Sequence, residues 1–254
     1  MMRCGSFNVR LDVESDGDDA WPNRIELVCQ TIQSLDCDVI GLQEPLVHQF
    51  ETLRECLPAY SWYGVGRYGD DEGEFSPIGW RTDRFEQIDG ETRWLSPTPA
   101  EVGSEGWDAS VARIATRVHL SDATGSLVVW NTHFDHEGEQ ARAESATLLA
   151  GWIESEGDPT VLVGDFNCEP GSTPHERLST VLPSARDDAA EVAGPYETFH
   201  GFDGVGSECI DHIFVSVDMR VLAFETIDRD DQGRYPSDHF PVVASLERRD
   251  EDAV

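Results

Sequence analysis

The sequence predicts an α/β protein in which two packed mixed β-sheets carry helices on their outer faces. Three observations predict it. Short apolar runs, such as Val39-Ile40-Gly41-Leu42 and Val161-Leu162-Val163, have strand length and each stops at polar residues. Stretches with apolar residues at helical spacing alternate with these runs. Both halves of the chain then turn to hairpin-like strand pairs, giving similar outlines without a sequence repeat.

Arg3 to Val9 reads as a first strand ending at Asn8, followed by an Asp/Gly-rich loop from Asp12 to Asp19. Trp21 to Leu35 places Ile25, Val28, Cys29 and Ile32 at helical spacing. Asp38 to Glu44 is a second strand, and Pro45 after it suits the opening of a helix over Val47 to Leu57. Tyr60 to Val65 and Glu74 to Arg81 read as strands around an acidic, Gly-containing loop, with Arg84 to Arg93 as the hairpin partner of the second. Ser96 to Asp108 has no period and is a long loop. Val111 to Leu120 and Ser126 to Phe134 pair around Asp122 to Gly125. Gly138 to Ile153 is an amphipathic helix, Thr160 to Asn167 a strand, and Pro174 to Val181 a helix. Strands near Ile210 to Val215, Val221 to Ile227 and Phe240 to Leu246 complete a single domain over 1–247, and 248–254 is a polar tail without expected order.

Composition narrows the setting. The chain has 50 Asp+Glu against 18 Lys+Arg, a net charge of -32, and every cation is arginine. The acids are spread along the chain, which points to a surface adapted to multimolar salt, as in a halophilic archaeon, rather than to an acidic arm. No apolar run reaches the roughly 18 residues of a membrane span, and the start lacks a signal-peptide core, so a cytoplasmic protein is expected. The cysteines at 4, 29, 37, 56, 168 and 209 form no CxxC pair and sit mostly in apolar runs, so reduced thiols are expected.

The chemistry gathers at strand ends. Val161 to Val163 would deliver Asp165 and Asn167 to one mouth, two residues apart and so on one face of extended backbone. Alone, that is equally well an Asx-stabilised turn. The pattern repeats, however, with Asn8, Glu44, His133, Asp211-His212 and Asp238-His239.

The set Asn8, Gln43-Glu44, Thr132-His133, Gly164-Asp165-Phe166-Asn167, Ile210-Asp211-His212-Ile213-Phe214 and Ser237-Asp238-His239-Phe240-Pro241-Val242 resembles the endonuclease/exonuclease/phosphatase superfamily. The resemblance runs through the whole chain in the family's motif order. It implies a four-layer α/β sandwich and a phosphoesterase that sets water in line with the scissile P–O bond. It also implies a Mg²⁺ or Mn²⁺ cofactor, which suits few carboxylates plus water and phosphate. In that reading Glu44, Asn8 and Asp238 hold the metal, and Asp165 aligns or deprotonates the water. Asn167 donates to a phosphoryl oxygen, and His239, held by Asp211, contacts the phosphate. His133 is similar to a second catalytic histidine of some branches, with Glu74 in the place of the residue that orients it. Arg67, Arg113 and His136 fall in a stretch similar to a hydrolase subgroup and are candidates for substrate binding.

The bond is therefore better defined than the molecule around it. Without lysine or a clustered arginine face, duplex nucleic acid is disfavoured against a small phosphoester or a nucleic-acid end. The alternatives are a nuclease acting on DNA or RNA ends, and a silent member that only binds a nucleotide or partner. Glu44, Asp165 and His239 are all present, which argues against the silent form. A monomer is expected, and no membrane partner.

Overall fold

A computed structural model describes residues 1–249. The chain begins with β1 (Met2–Asn8), a 3₁₀ turn at Glu14–Asp19, α1 (Trp21–Leu35), β2 (Val39–Gln43) and α2 (Val47–Cys56). Next come β3 (Tyr60–Tyr63), β4 (Ile78–Arg81), β5 (Glu86–Trp94), β6 (Ile114–Asp122), β7 (Gly125–His133) and α3 (Glu139–Ile153). The remainder is β8 (Thr160–Asp165), α4 (Thr173–Ser179), α5 (Ala185–Asp188), β9 (Glu191–Ala193), β10 (Asp211–Val215), β11 (Met219–Thr226) and β12 (Val242–Arg248).

The strands form two mixed sheets, of seven in the order β3-β4-β2-β1-β12-β11-β9 and of five in the order β10-β8-β7-β6-β5. Their inner faces meet in one apolar core through Met2, Cys4, Val39, Val129, Val161, Val163, Ile213 and Val242. Helices α1 and α2 cover the seven-stranded sheet through Val28, Ile32 and Leu53, and α3 and α4 cover the five-stranded sheet through Leu149, Ile153 and Leu178. Each fully buried aliphatic side chain contributes about 1.5–3 kcal/mol, so the three apolar layers hold the four structural layers together. This is the expected α/β sandwich of two mixed sheets between helices.

Alternation of side chains along the strands sets where the chemistry stands. On β8, Val161 and Val163 face the central core and Leu162 faces the helices, so Asp165 faces inward. The same parity turns Asn8 inward after Met2 and Cys4, His133 after Leu127 and Val129, and Asp211 ahead of Ile213 and Val215. All four stand at the same end of the sandwich. Beneath them the sheets are joined by a polar link. The Asn131 amide donates to Leu42 O and Pro77 O at 2.7 and 2.9 Å, and Gln43 Nε2 donates to Asn131 Oδ1 at 2.7 Å. Gly41 makes room for it: a Cβ there would lie 2.6 Å from Asn131 Cγ.

Four expectations are corrected. Arg84 to Arg93 does not pair with β4. That strand lies between β2 and β3, whereas β5 crosses to the other sheet and pairs with β6. The strand expected from Glu74 begins only at Ile78, because Phe75 is held instead by Gly66 and Pro45. Cys29 and Cys56 are not free thiols but bridge α1 to α2, whose packing brings their Cα atoms to 6.3 Å. The tail assigned to 248–254 begins too early, since Arg248 ends β12 and donates to Ser126 O; its residues from 250 on lie outside those described. Among the described residues no helix is long and apolar enough to cross a membrane.

Candidate active site

The inward polar residues open into a cleft of about 570 Å³. Every residue the sequence named as catalytic, metal-holding or substrate-binding lines it except Asn8 and Asp211, which lie just beneath, bonded to residues that do.

Asn8 is fully buried and donates its amide to Glu44 Oε1 at 2.8 Å and to Asp165 Oδ2 at 2.9 Å. Its own Oδ1 accepts the Arg10 N–H at 3.0 Å. Asn8 thus meets the carboxylates as a donor, and its oxygen is already engaged. Glu44 follows β2 with φ of 74°, a left-handed conformation uncommon outside glycine. That turn swings its carboxylate out of the strand, where Leu11 N donates to Oε2 at 2.8 Å.

Asp165 is 1% exposed. Burial, with Asp211 beside it, pushes its carboxyl up to about 7. Asn167 adopts φ of 47°, which its short amide tolerates. Its backbone N–H donates to Asp165 Oδ1 at 3.0 Å and its amide donates to Phe134 O at 3.0 Å. The second amide N–H remains for the cleft.

The two histidines flank Asp165 Oδ2, His133 Nε2 at 3.5 Å and His239 Nε2 at 3.7 Å. Their charge states differ. Burial lowers His239, but Asp211 at 2.8 Å from Nδ1, with Asp165 and Asp238, raises it well above the ordinary histidine value. Burial, then Arg113 and His239, drives His133 well below that value. The surroundings thus favour the charged form of His239 and the neutral form of His133. Glu74 Oε2 lies 3.9 Å from His133 Nδ1, beyond a hydrogen bond, and that nitrogen has no hydrogen-bond partner among the described residues. Glu74 instead pairs with Arg67 at 2.9 Å. Buried Arg113 bonds His136 Nδ1 through Nη2 at 2.9 Å and sits 3.7 Å from Glu74. His212, adjacent to Asp211, faces the opposite side of β10 on Cys168 O at 2.9 Å, and burial pushes it down to about 4.

The donor set fits a hard divalent cation. Glu44, His133 and Asp165 each offer a ligand atom, all within 4.8 Å of one another, as do Asp165, Asp211 and His239. Burial raises the carboxyls of Glu74 and Asp238, and repulsion from Glu44 raises both further. Carboxylates thus converge there with too little positive charge to balance them, and oxygen-rich sites of this kind take Mg²⁺, Mn²⁺ or Ca²⁺.

Among the lining residues that the sequence did not single out are Arg10, Phe202 and Glu208. Arg10 reaches over the metal side, bound to Asp16 at 3.0 Å through both Nε and Nη2 and 3.7 Å from Asp238. Phe202 and Glu208 form its far wall. All three sit in loops without periodicity, where no strand end marks them.

A buried carboxylate between two histidines, beside a carboxylate-rich cation site at the mouth of an α/β sandwich, defines a hydrolase of phosphoester bonds. A family model described as the Endonuclease/Exonuclease/phosphatase family matches residues 5–239, and the chain belongs to that family. Among solved structures it is similar to a family protein of Bacteroides vulgatus, 39% identical over 98% of this chain and 99% of that one, with a TM-score of 0.93. A mannosyl-6-phosphatase of Bacteroides thetaiotaomicron is 34% identical over 97% and 100% of the two chains, with a TM-score of 0.91. A functionally unknown conserved protein of Enterococcus faecalis is 30% identical over 98% and 100%, with a TM-score of 0.92. No curated protein matches the chain.

Proposed function

We propose that the protein hydrolyses a phosphomonoester of a small hydroxylated molecule, in the manner of a sugar phosphatase, with Mg²⁺ or Mn²⁺ as cofactor. The carrying observation is the convergence of Asp165, His133, His239 and Glu44 on one cleft. The likeness to a mannosyl-6-phosphatase supports a small substrate, as does a lining in which carboxylates outnumber arginines. Such a lining repels the further phosphates of a nucleic-acid chain.

Glu44 and Asp238 would hold the cation, which when bound would offset charge on the phosphoryl oxygens, and Asn8 fixes Glu44 relative to Asp165. Asp165, its pKa near 7, accepts a proton from the attacking water and steers it in line with the ester bond. Asn167 donates its free N–H to a phosphoryl oxygen. His239, kept charged by Asp211, donates to another, and neutral His133 faces it across Asp165. Arg113, with His136 and Arg67 beside it, binds the remaining phosphate oxygen. The new P–O bond forms to water as the ester P–O bond breaks on the opposite side, and the departing alkoxide takes a proton from solvent water in the open cleft.

The test is phosphate release from hexose 6-phosphates, glycerol phosphate and 5′-phosphorylated oligonucleotides in KCl with Mg²⁺ or Mn²⁺. Release from the small esters, stopped by EDTA, is expected. Strand cleavage of oligonucleotides with no release from any small ester would overturn the proposal.

A further inference from the structure

The far wall of the cleft is one loop. Phe199 and Glu208 close it by an antiparallel bridge, and Phe199 also bridges to His239. His200 N and Gly201 N both donate to Asp238 O, at 2.8 and 3.1 Å, and Phe240 N donates to Thr198 O at 2.7 Å. The loop is thereby fastened to the backbone around Asp238 and His239, and its position is fixed relative to those residues.

Within it Phe202 adopts φ of 69°. For a bulky residue this is an outlier that costs free energy and persists only where the surroundings impose it. Glycine would occupy the position without strain. What the phenylalanine adds is a ring on the cleft wall. The Arg24 guanidinium lies 5.3 Å from that ring's centroid and stiffens it from one side. Arg24 is itself 1% exposed, and it donates to the carbonyls of Val9, Arg10, Asp19 and Pro236. Phe199 serves differently, with its ring 5.0 Å from that of His239. Glu208, exposed and lining the same cleft, has no side-chain hydrogen bond or ion pair among the described residues.

We infer that Phe202 and Glu208 form the subsite for the leaving group, and that they select an uncharged hydroxylated ring of hexose size. A pyranose presents a face of C–H groups, slightly positive, that suits the negative face of an aromatic ring. Its hydroxyls are donors for a carboxylate. A second phosphate or an acid would meet Glu208 as a like charge. This assignment rests on the proposed phosphomonoesterase reading.

The experiment compares kcat and KM for a hexose 6-phosphate, glycerol phosphate and a nucleoside 5′-monophosphate. It uses the wild type, Phe202→Ala, Phe202→Gly and Glu208→Gln. Both Phe202 variants are expected to raise KM for the hexose ester about tenfold, with kcat within about twofold and glycerol phosphate unaffected. Glu208→Gln should raise the same KM severalfold. Phe202→Gly should melt no lower than Phe202→Ala, since glycine relieves the backbone. Equal losses on hexose and glycerol esters, or an unchanged hexose KM, would refute the subsite. A Phe202-dependent preference for the nucleotide would refute the choice of a hydroxylated ring. Wild-type protein releasing phosphate from none of the three would instead remove the phosphomonoesterase reading itself, and the subsite with it.

Discussion

Asp165 is buried in a polar pocket, and its behaviour with pH follows from that. A carboxyl with pKa near 7 is half protonated at neutral pH, and as the proposed base it acts only when ionised. Activity should therefore fall as pH drops through about 7, and should be sustained above it while His239, raised by Asp211, keeps its proton. Asp165→Asn keeps the shape and one of the two hydrogen bonds that the carboxylate accepts from Asn8 and Asn167, but cannot accept a proton. We expect kcat to fall by about 10²–10⁴-fold with KM within a few-fold, and the acid limb to disappear from what remains. A pH–rate profile of both proteins checks this, and an unchanged limb in the variant would assign it to another group. Residues of this kind were legible because each is the last inward position of an apolar strand, where a polar side chain has no packing role. Arg10, Phe202 and Glu208 were not legible, because loop geometry alone brings them to the cleft.

At the scale of elements, local signals worked where the local signal is also the tertiary one. The helix over Trp21–Leu35 has its boundaries where the apolar spacing places them. Partner choice between strands has no local signal. The polar sequence of β5 carries nothing that tells one partner from another, and only the crossover between sheets decides that it joins β6. The bridge of Cys29 to Cys56 belongs here too, since 27 residues of separation say nothing about two helices lying side by side. A crosslink of that span should add about 3–4 kcal/mol by restricting the unfolded chain. Dithiothreitol should lower the urea midpoint of the native protein and leave that of a Cys29→Ser/Cys56→Ser variant unchanged. Mass spectrometry of the alkylated, unreduced protein should find four modified cysteines, the number of the remaining thiols. Six would show that the bridge does not form.

For the whole molecule, charge governs the energetics outside the core. Several of the arginines are already committed: Arg3 to Glu225, Arg84 to Asp38, Arg93 to Glu91 and Arg117 to Glu156. A net charge of -32 remains on a chain of 254 residues. At about 0.01 M salt the screening length is roughly 30 Å, so acids across the molecule repel one another. At about 1 M it is roughly 3 Å, and repulsion shrinks to immediate neighbours. Surface ion pairs, worth about 0–1 kcal/mol each and themselves weakened by salt, cannot reverse this trend. Stability should therefore rise with KCl over the molar range, and dialysis into dilute buffer should unfold the chain. Far-ultraviolet circular dichroism across a KCl series reads the transition directly. Substituting tetramethylammonium chloride at equal ionic strength separates screening, which any salt supplies, from preference for a particular cation. A fold equally stable in dilute buffer and in molar salt would mean that the close packing between the two sheets outweighs the repulsion, and would refute adaptation to salt.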